Sequence, residues 1–305
     1  MKRFFVTLVL LFFVAGCAPQ ISVAPTERIE PTIPATALPP TIQPTKTSLP
    51  PSATVTKQPL TETITPLPPT ETPLPLCVTL RYGGNAQVEI VSLSGQRVLV
   101  DVYDPQKLSG PAAEADVLLT THTHWDHWNA DFQASFPGLQ LFVQTGVLEA
   151  PGAIIQGIAS THNAGDAFQP EGGTNYIFVI EIGGLRIVHF GDIGQKALTE
   201  EQLVALGQVD IAITQLNNPY SEMNAENAKG IHLMEQVRPR LIVPTHVNLD
   251  TAKLAIAQWP GYASTNPAVQ ICQSELGEGT RVLFLGETAA TMSGYLPLAQ
   301  WGDQE

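Results

Sequence analysis

Positive charge is scarce in this chain. Its 305 residues include 15 Lys and Arg against 28 Asp and Glu, which gives a formal net charge of −13 at pH 7. From residue 77 onward there are 10 basic and 24 acidic residues, a net charge of −14. Proteins that bind nucleic acids neutralise phosphates with Lys and Arg, so this composition argues against a nucleic-acid partner and against a nuclease.

The N-terminal apolar run is too short to span a bilayer comfortably. It covers Phe4 to Val14 and follows Lys2 and Arg3, which is the pattern of an export signal. The run ends in Val14-Ala15-Gly16-Cys17, and small residues before a cysteine resemble a bacterial lipobox. The resemblance implies that residues 1–17 form a lipoprotein signal and that Cys17 carries a lipid on the outer side of a bacterial membrane. An ordinary signal peptide cleaved elsewhere, with Cys17 incidental, is the alternative.

Residues 18–76 have a composition that does not support a core. Fifteen of the 26 prolines and thirteen threonines lie in this segment, with few charges. Such a segment buries too little apolar surface to offset the conformational entropy lost on folding. We therefore predict a disordered, extended linker that reaches at most about 180 Å if it is fully polyproline-like. The remaining residues, 77–305, are enough for one α/β domain with its own core.

Cysteine is scarce as well. If Cys17 carries a lipid, Cys77 and Cys272 are the two that remain. An even pair in an oxidising compartment allows a disulfide, which would close a loop of about 195 residues. Two buried free thiols are the alternative.

Histidine, in contrast, is concentrated in one short segment. His122-Thr123-His124-Trp125-Asp126-His127 places three imidazoles and a carboxylate within six residues, directly after an apolar run. In a chain of this composition the pattern arises by chance about once in ten thousand sequences. It predicts a metal site, whereas a solvated turn or an incidental metal scavenger would need no further ligands elsewhere.

Further ligand candidates follow at the ends of three other apolar runs. His162 follows 157–161, Asp192 follows 185–191, and His246 follows 241–245. Each candidate therefore lies where a predicted buried strand passes into a loop, the usual place for a site on an α/β scaffold.

This order of ligands resembles the metallo-β-lactamase superfamily of metal-dependent hydrolases, and the resemblance extends from about residue 78 to residue 285. It implies a four-layer αββα sandwich, in which two mixed β-sheets are flanked by helices. Composition and element order alone indicate only an α/β protein.

The resemblance also implies a role for each candidate residue. His122, His124 and His162 would hold one metal ion, Asp126, His127 and His246 would hold a second, and Asp192 would bridge both. Five imidazoles and two carboxylates suit two divalent ions, Zn²⁺ first and Mn²⁺ or Fe²⁺ as alternatives. A hydroxide between the ions would attack the substrate, with Asp126 as the catalytic group that orients it and takes its proton.

Asp101, at the end of the predicted strand 97–102, matches the aspartate of the superfamily's first motif. The resemblance implies that it supports a metal-binding histidine. A turn residue at a strand end is the alternative.

Three later segments resemble the ascorbate-6-phosphate lactonase-like branch of the superfamily. They are Thr174-Asn175-Tyr176, 189–192 and 238–246, whereas Gln215-Leu216-Asn217-Asn218 departs from the glycine-rich pattern of that branch. The implied function is hydrolysis of an ester, lactone or phosphoester bond in a small-molecule or lipid substrate. The alternatives are a phosphodiesterase or phospholipase D-like enzyme and a non-catalytic binding module on the same fold.

Periodicity and turn signals predict ten strands and three helices in this part of the chain. The strands are 78–82, 87–93, 97–102, 117–121, 140–144, 176–182, 185–190, 210–216, 241–244 and 281–285. The helices are 199–206, 225–237 and 251–259, and the first begins with a capping box at Thr199. His189 is expected in the core or in support of a ligand, and His232 on a surface or in helix packing. Asn218 is expected to contact substrate or to form a turn.

Overall fold

The computed structural model describes residues 75–163 and 174–302, which form fifteen strands and five α-helices. The strands are β1 (Cys77–Gly84), β2 (Gln87–Ser92), β3 (Arg97–Val100), β4 (Val117–Thr120), β5 (Leu139–Phe142), β6 (Gly146–Ala150), β7 (Ala153–Ser160), β8 (Asn175–Ile182), β9 (Leu185–His189), β10 (Ile211–Thr214), β11 (Leu241–Pro244), β12 (Gly261–Ser264), β13 (Ala268–Cys272), β14 (Arg281–Leu285) and β15 (Ala299–Gln300). The helices are α1 (Ala130–Ser135), α2 (Glu200–Leu206), α3 (Lys229–Val237), α4 (Leu249–Gln258) and α5 (Gly286–Ser293). The predicted signal with Cys17, and the predicted linker up to residue 74, lie outside the described residues. None of the described helices is long and apolar enough to cross a bilayer.

The strands form two mixed sheets, as expected. The first has six strands in the order β13-β1-β2-β3-β4-β5, and the second has nine in the order β15-β12-β14-β11-β10-β9-β8-β7-β6. Antiparallel β1, β2 and β3 continue into parallel β4 and β5. In the second sheet β6 to β9 are antiparallel, and the strands from β9 to β15 in the sheet order are parallel.

The main core lies between the two sheets. In β1, Val78, Leu80 and Tyr82 are buried while Thr79 and Arg81 are half-buried, which is the period of two expected of a strand with one face on a core. The buried residues of β1 share one apolar cluster with residues of β8 and β9 in the second sheet. Sequence alternation in the first meander therefore determines which face of the first sheet is apolar.

Strands β10 and β11 are buried at every residue, because helices cover the face of the second sheet that points away from the core. Residues Leu206, Leu233, Ala252 and Ala289 from α2, α3, α4 and α5 pack there in a second cluster. On the outer face of the first sheet, Leu99 and Leu118 pack against Phe136, which ends α1. The layers are thus helix, sheet, sheet and helix, and the predicted αββα sandwich is confirmed.

A disulfide joins Cys77 to Cys272. The two residues lie opposite each other in the antiparallel pairing of β1 with β13, so the bond fastens the edge strand β13 to its neighbour. Of the two alternatives left open by the sequence, the structure forms the disulfide.

Strand direction brings the loops that carry the ligand candidates to one end of the molecule. Strands β9, β10 and β11 are parallel, and β7 runs in the same direction because β8 is antiparallel to both β7 and β9. In the first sheet β3 and β4 are parallel to each other. Sites in open α/β sheets form at the carboxyl ends of such strands.

Candidate metal centre

The loop that follows β4 carries four of the seven ligand candidates. His122 and His127 are buried, Asp126 is half-buried and His124 is exposed. The amide of His127 donates to the carbonyl of His124 at 3.0 Å, so the chain turns back within four residues. This turn lets side chains from one short segment point toward two different positions.

Potential ligand atoms meet in three groups, each with all its atoms within 4.8 Å of one another. The groups are His122 with His124 and His162, Asp126 with His127 and His246, and His122 with His127 and Asp192. The first two groups are the two ligand sets implied by the sequence resemblance. The third combines one imidazole from each set with Asp192, the residue expected to bridge them.

The two carboxylate oxygens of Asp192 face different histidine pairs. Oδ2 lies 3.5 Å from Nε2 of His162 and 3.9 Å from Nε2 of His122. Oδ1 lies 3.2 Å from Nε2 of His127 and 3.3 Å from Nε2 of His246. A carboxylate so placed has one oxygen for each of two cations.

Buried polar atoms without a hydrogen-bond partner indicate whether the site fits metal ions. Among the described residues, the buried side-chain atoms without a hydrogen-bond partner include Nε2 of His122, Nε2 of His162 and Oδ1 of Asp192, besides atoms of Trp128, Gln215 and Thr245 outside the ligand groups. Leaving such atoms unpaired in a protein interior is costly, and native interiors rarely do so. The first three atoms belong to the ligand groups, so coordination to cations would satisfy them. The residues present therefore fit two divalent ions, and their nitrogen and oxygen donors suit Zn²⁺.

Asp101 fixes the orientation of the His127 ring through Nδ1, the ring nitrogen that does not face Asp192. It is fully buried after β3 with a φ of +51°, and its carboxylate accepts hydrogen bonds from the amide and the hydroxyl of Thr121 at 2.8 and 2.7 Å. Its Oδ2 lies 2.7 Å from Nδ1 of His127. Nδ1 of His127 thus donates to Asp101 while Nε2 faces Asp192, which is the arrangement expected of a residue that orients a metal ligand.

The pKa values of this group follow from burial and mutual contact. Burial opposes a charge on His127, but the Asp101 carboxylate outweighs it and raises the pKa of His127 to about 10. Burial and the neighbouring His127 lower the pKa of His122 to about 2. Burial also opposes ionisation of Asp192, yet the neighbouring imidazoles of His127, His162 and His246 hold the pKa of Asp192 well below its usual range. Asp192 is therefore an anion and His122 is neutral, the forms that bind cations, whereas His127 would release the proton on Nε2 when a cation binds.

Asn175 at the start of β8 clamps the loop that carries Asp192. Its Oδ1 accepts from the amide of Asp192 at 3.0 Å, and its Nδ2 donates to Oγ of Ser160 at 2.7 Å and to the carbonyl of Phe190 at 2.9 Å. Gly191 has a φ of +55°, and a Cβ there would lie 2.3 Å from Oδ1 of Asn175. Only glycine lets the loop approach this clamp so closely.

Asn218 supports Asp192 from the loop after β10. Its Nδ2 donates to Oδ2 of Asp192 at 2.6 Å, while its Oδ1 accepts from the amide of Tyr220 at 2.9 Å. Asn218 therefore forms the turn considered from the sequence and also holds a ligand, a role that the sequence did not suggest.

No sequence pattern pointed to a role for the buried Lys229. Lys229 at the start of α3 donates through Nζ to the carbonyl of Gly194 at 3.1 Å and to that of Ser221 at 2.6 Å. Ser221 in turn donates through Oγ to the carbonyl of Asp192 at 3.1 Å. Lys229 thus joins the loop that carries Asp192 to the loop after β10. A lysine in the first turn of a helix usually points into solvent, so no local signal predicts this contact.

The metal centre opens into a cleft of about 1040 Å³. His124, Asp126, Asp192 and His246 line the cleft, and the other lining residues include Arg81, Tyr82, Tyr103, Lys107, Trp125, Tyr220 and Glu287. Trp125 is 78% exposed there, whereas Trp128 packs against Phe142 with ring centres 6.0 Å apart. Of the two tryptophans that flank the ligand loop, one therefore lines the cleft and the other anchors the loop.

The two histidines outside the ligand set lie where the sequence placed them. His189 is buried, with Nε2 3.0 Å from the carbonyl of Ala86 and Nδ1 accepting from the amide of Gly191 at 3.1 Å. His232 is exposed on α3. Neither belongs to a ligand group.

Comparison with known proteins identifies the same stretch of chain. The family described as "Beta-lactamase superfamily domain" matches residues 79–246, from β1 to the last ligand candidate. A metal-dependent hydrolase of Thermococcus onnurineus is 28% identical over 196 residues, which are 56% of this chain and 85% of that protein. A metal-dependent hydrolase of Salinibacter ruber is 27% identical over 219 residues, 62% of this chain and 91% of the relative.

A solved structure shares the fold. It is described as a Zn-dependent hydrolase of the metallo-beta-lactamase superfamily from Thermotoga maritima, and it superposes with a TM-score of 0.50 at 19% identity. The alignment covers 68% of this chain and 98% of that one.

Proposed function

This chain belongs to the beta-lactamase superfamily, in which its relatives are metal-dependent hydrolases, and we propose that it hydrolyses an ester, lactone or phosphoester bond with two divalent metal ions. The observation that carries the proposal is the position of Asp192, whose two oxygens each face a separate pair of histidines. A single-metal or purely structural site has no need of such a bridge.

The proposed ligands are those of the two histidine sets with Asp192 between them. His122, His124 and His162 would hold one ion, Asp126, His127 and His246 the other, and Asp192 both. Bound divalent ions supply Lewis acidity, which polarises the scissile group and makes water a nucleophile near neutral pH. We propose Zn²⁺ because five of the seven ligands are imidazoles.

The side chains of the site would transfer the proton of the attacking water and hold the ligands in position. Asp126 lines the cleft, and its Oδ2 lies 3.7 Å from Nε2 of His246, so it is placed to accept the proton of the attacking water. Water then adds to the carbonyl carbon or the phosphorus, the bond to the leaving oxygen breaks, and Asp126 returns the proton to that oxygen. Asp101 and Asn218 keep His127 and Asp192 in position throughout.

The proposal also covers the substrate class and the cellular location of the enzyme. The motifs at Asn175, 189–192 and 238–246 support a place near the ascorbate-6-phosphate lactonase-like branch, with a small-molecule or lipid substrate. The signal ending at Cys17 supports an exported, membrane-anchored lipoprotein. The two alternative functions gain no support from the relatives.

Metal analysis with a substrate panel tests the proposal. The full chain, purified with Zn²⁺, is expected to hold two metal equivalents by plasma mass spectrometry and to cleave at least one member of a panel of esters, lactones, phosphodiesters, phospholipids and a β-lactam. The isosteric variant Asp192→Asn should lose at least one equivalent and most of the activity, whereas Asp250→Asn, an exposed residue of α4, should lose neither. Protein that stays metal-free in excess Zn²⁺ or Mn²⁺ would refute the enzyme, and full turnover by Asp192→Asn would refute the bridge.

A further inference from the structure

The wall of the cleft carries a hydrogen-bonded pair, Tyr103 and Lys107, that the proposed chemistry does not use. Nζ of Lys107 donates to the phenol oxygen of Tyr103 at 2.6 Å, and that phenol donates to the carbonyl of Gly83 at 3.3 Å. The pair lies over the turn between β1 and β2, since a Cβ on Gly84 would lie 3.2 Å from the Tyr103 hydroxyl and 3.3 Å from Nζ of Lys107. The phenol and the turn therefore fix the ammonium in place.

Lys107 is a charged group with more N–H donors than its hydrogen bond to Tyr103 uses. The hydrogen bond to Tyr103 raises the pKa of Lys107, so the side chain is an ammonium at neutral pH. An ammonium has three donors, and one of them serves the neutral phenol. Among the described residues Lys107 forms no salt bridge, although Asp104 and Glu287 lie near enough to raise its pKa as well.

The only other Lys or Arg among the described residues that line this cleft is Arg81. Nε of Arg81 lies 3.6 Å from Oε2 of Glu89, so its charge is already partly compensated. Lys107 is thus a cation of the cleft with no salt bridge among the described residues, in a chain whose formal net charge is −13. An exposed ammonium that a phenol positions, in the same cleft as the candidate metal ligands, is available to an anionic group of a ligand.

We propose that Lys107 and Tyr103 form a subsite for an anionic group of the substrate, a carboxylate or a phosphate that lies away from the bond to be cleaved. The inference rests on the proposed hydrolase function, because the cleft joins this pair to the ligands His124, Asp126, Asp192 and His246. A substrate with its reactive group at the metal centre extends its far end along this wall. Binding energy from such a remote group orients the reacting bond.

Three matched aryl esters test the subsite with the full, zinc-loaded chain. They are p-nitrophenyl butyrate, which is neutral, the mono-p-nitrophenyl ester of glutaric acid, and the p-nitrophenyl ester of 4-phosphonobutyric acid. The wild-type protein is expected to prefer the anionic esters in kcat/KM, and the more strongly preferred of the two identifies the anion. Lys107→Gln should lower the ratio of anionic to neutral kcat/KM by about tenfold, Lys107→Arg should retain most of the ratio, and Lys253→Gln on exposed α4 should leave it unchanged. An equal ratio in wild type and Lys107→Gln overturns the subsite, as does an equal loss in Lys107→Arg and Lys107→Gln.

Direct binding separates failure of the subsite from failure of the proposed function. If the metal-loaded chain cleaves none of the three esters, calorimetric titration with glutarate and with inorganic phosphate still compares wild type, Lys107→Gln and Lys253→Gln. Affinity about tenfold weaker in Lys107→Gln alone supports the subsite. Equal affinity in all three proteins overturns it, whatever the catalytic result.

Discussion

At the scale of single residues, the candidate metal centre includes side chains that support the candidate ligands without being among them. Asp101, Asn175 and Asn218 each hold one atom of a ligand or of its loop in place. Supporting residues of this kind fix the orientation of the ligand and its protonation state, and their loss weakens a site even when every ligand remains.

Asp101→Asn isolates the electrostatic part of this support. Asparagine tolerates the φ of +51° at this position, so the backbone is retained. Its amide has no negative charge, and it brings a donor toward Nδ1 of His127. We expect affinity for Zn²⁺ to fall by about tenfold to a hundredfold, measured by competition with a chromogenic chelator. Asp131→Asn, an exposed residue of α1, is the control, and unchanged affinity in Asp101→Asn would show that its charge is not needed.

The candidate ligands could be picked out from the sequence, whereas the residues that support them could not. Ligand chemistry requires particular residue types at close spacing, which is visible in 122–127 without a structure. The roles of Asn218 and Lys229 depend on contacts with residues 26 and 35 positions away. Asparagine and lysine also have many other uses in loops and helix starts, so their positions carry no local signal.

At the scale of elements, prediction succeeded where local rules are strong. Strands β11 and β14 were predicted with their observed bounds, because each is a short apolar run next to turn residues. Helix α2 begins where its capping box predicted, with Thr199 accepting from the amide of Gln202 and Gln202 reaching back to Thr199.

Prediction failed where side chains of a turn override the pattern of a helix. Helix α3 was expected from residue 225 and begins at Lys229. Oδ1 of Asn224 accepts from the amides of Glu226 and Asn227, and Ala228 has a φ of +49°. This local turn takes the first predicted helical residues out of the helix.

Strands at sheet edges were also missed, because they have weak apolar patterns. β6 at one end of the nine-stranded sheet is largely exposed, and β13 at one end of the six-stranded sheet alternates buried and exposed residues over only five positions. Their pairing partners, rather than their own residues, determine that they are strands.

Thr199→Ala tests the contribution of the capping box at the start of α2. Loss of the hydroxyl leaves a backbone amide without its partner, and we expect the free energy of unfolding to fall by about 1 kcal/mol. Urea denaturation measures the change, and Thr199→Ser, which keeps the hydroxyl, is the matched control. Metal content should not change, since α2 supplies no ligand. Equal losses in the serine and alanine variants would assign the effect to packing of the methyl group instead.

At the scale of the whole molecule, the disulfide constrains the unfolded chain more than it holds the native one. It spans 195 residues, and the entropy of closing such a loop corresponds to an upper figure of about 5 kcal/mol. We expect the double variant Cys77→Ser, Cys272→Ser to unfold at a markedly lower denaturant concentration than wild type. Reducing agent should lower the midpoint of the wild-type protein and leave that of the double variant unchanged. A wild-type midpoint that does not respond to reduction would mean that the bond contributes little.

The disulfide and the N-terminal sequence are two independent features that support the same proposed location outside the cytosol. Structural disulfides persist outside the cytosol, and the predicted signal ending at Cys17 would direct a chain there. If Cys17 carries the lipid, bacteria that express the full chain should incorporate labelled palmitate into it, and the protein should sediment with membranes. Cys17→Ala should lose the label, while Cys77→Ser, which removes a cysteine from the C-terminal domain, should keep it. Label retained in Cys17→Ala would exclude lipidation at that residue, and label lost in both variants would trace the loss to misfolding rather than to the anchor.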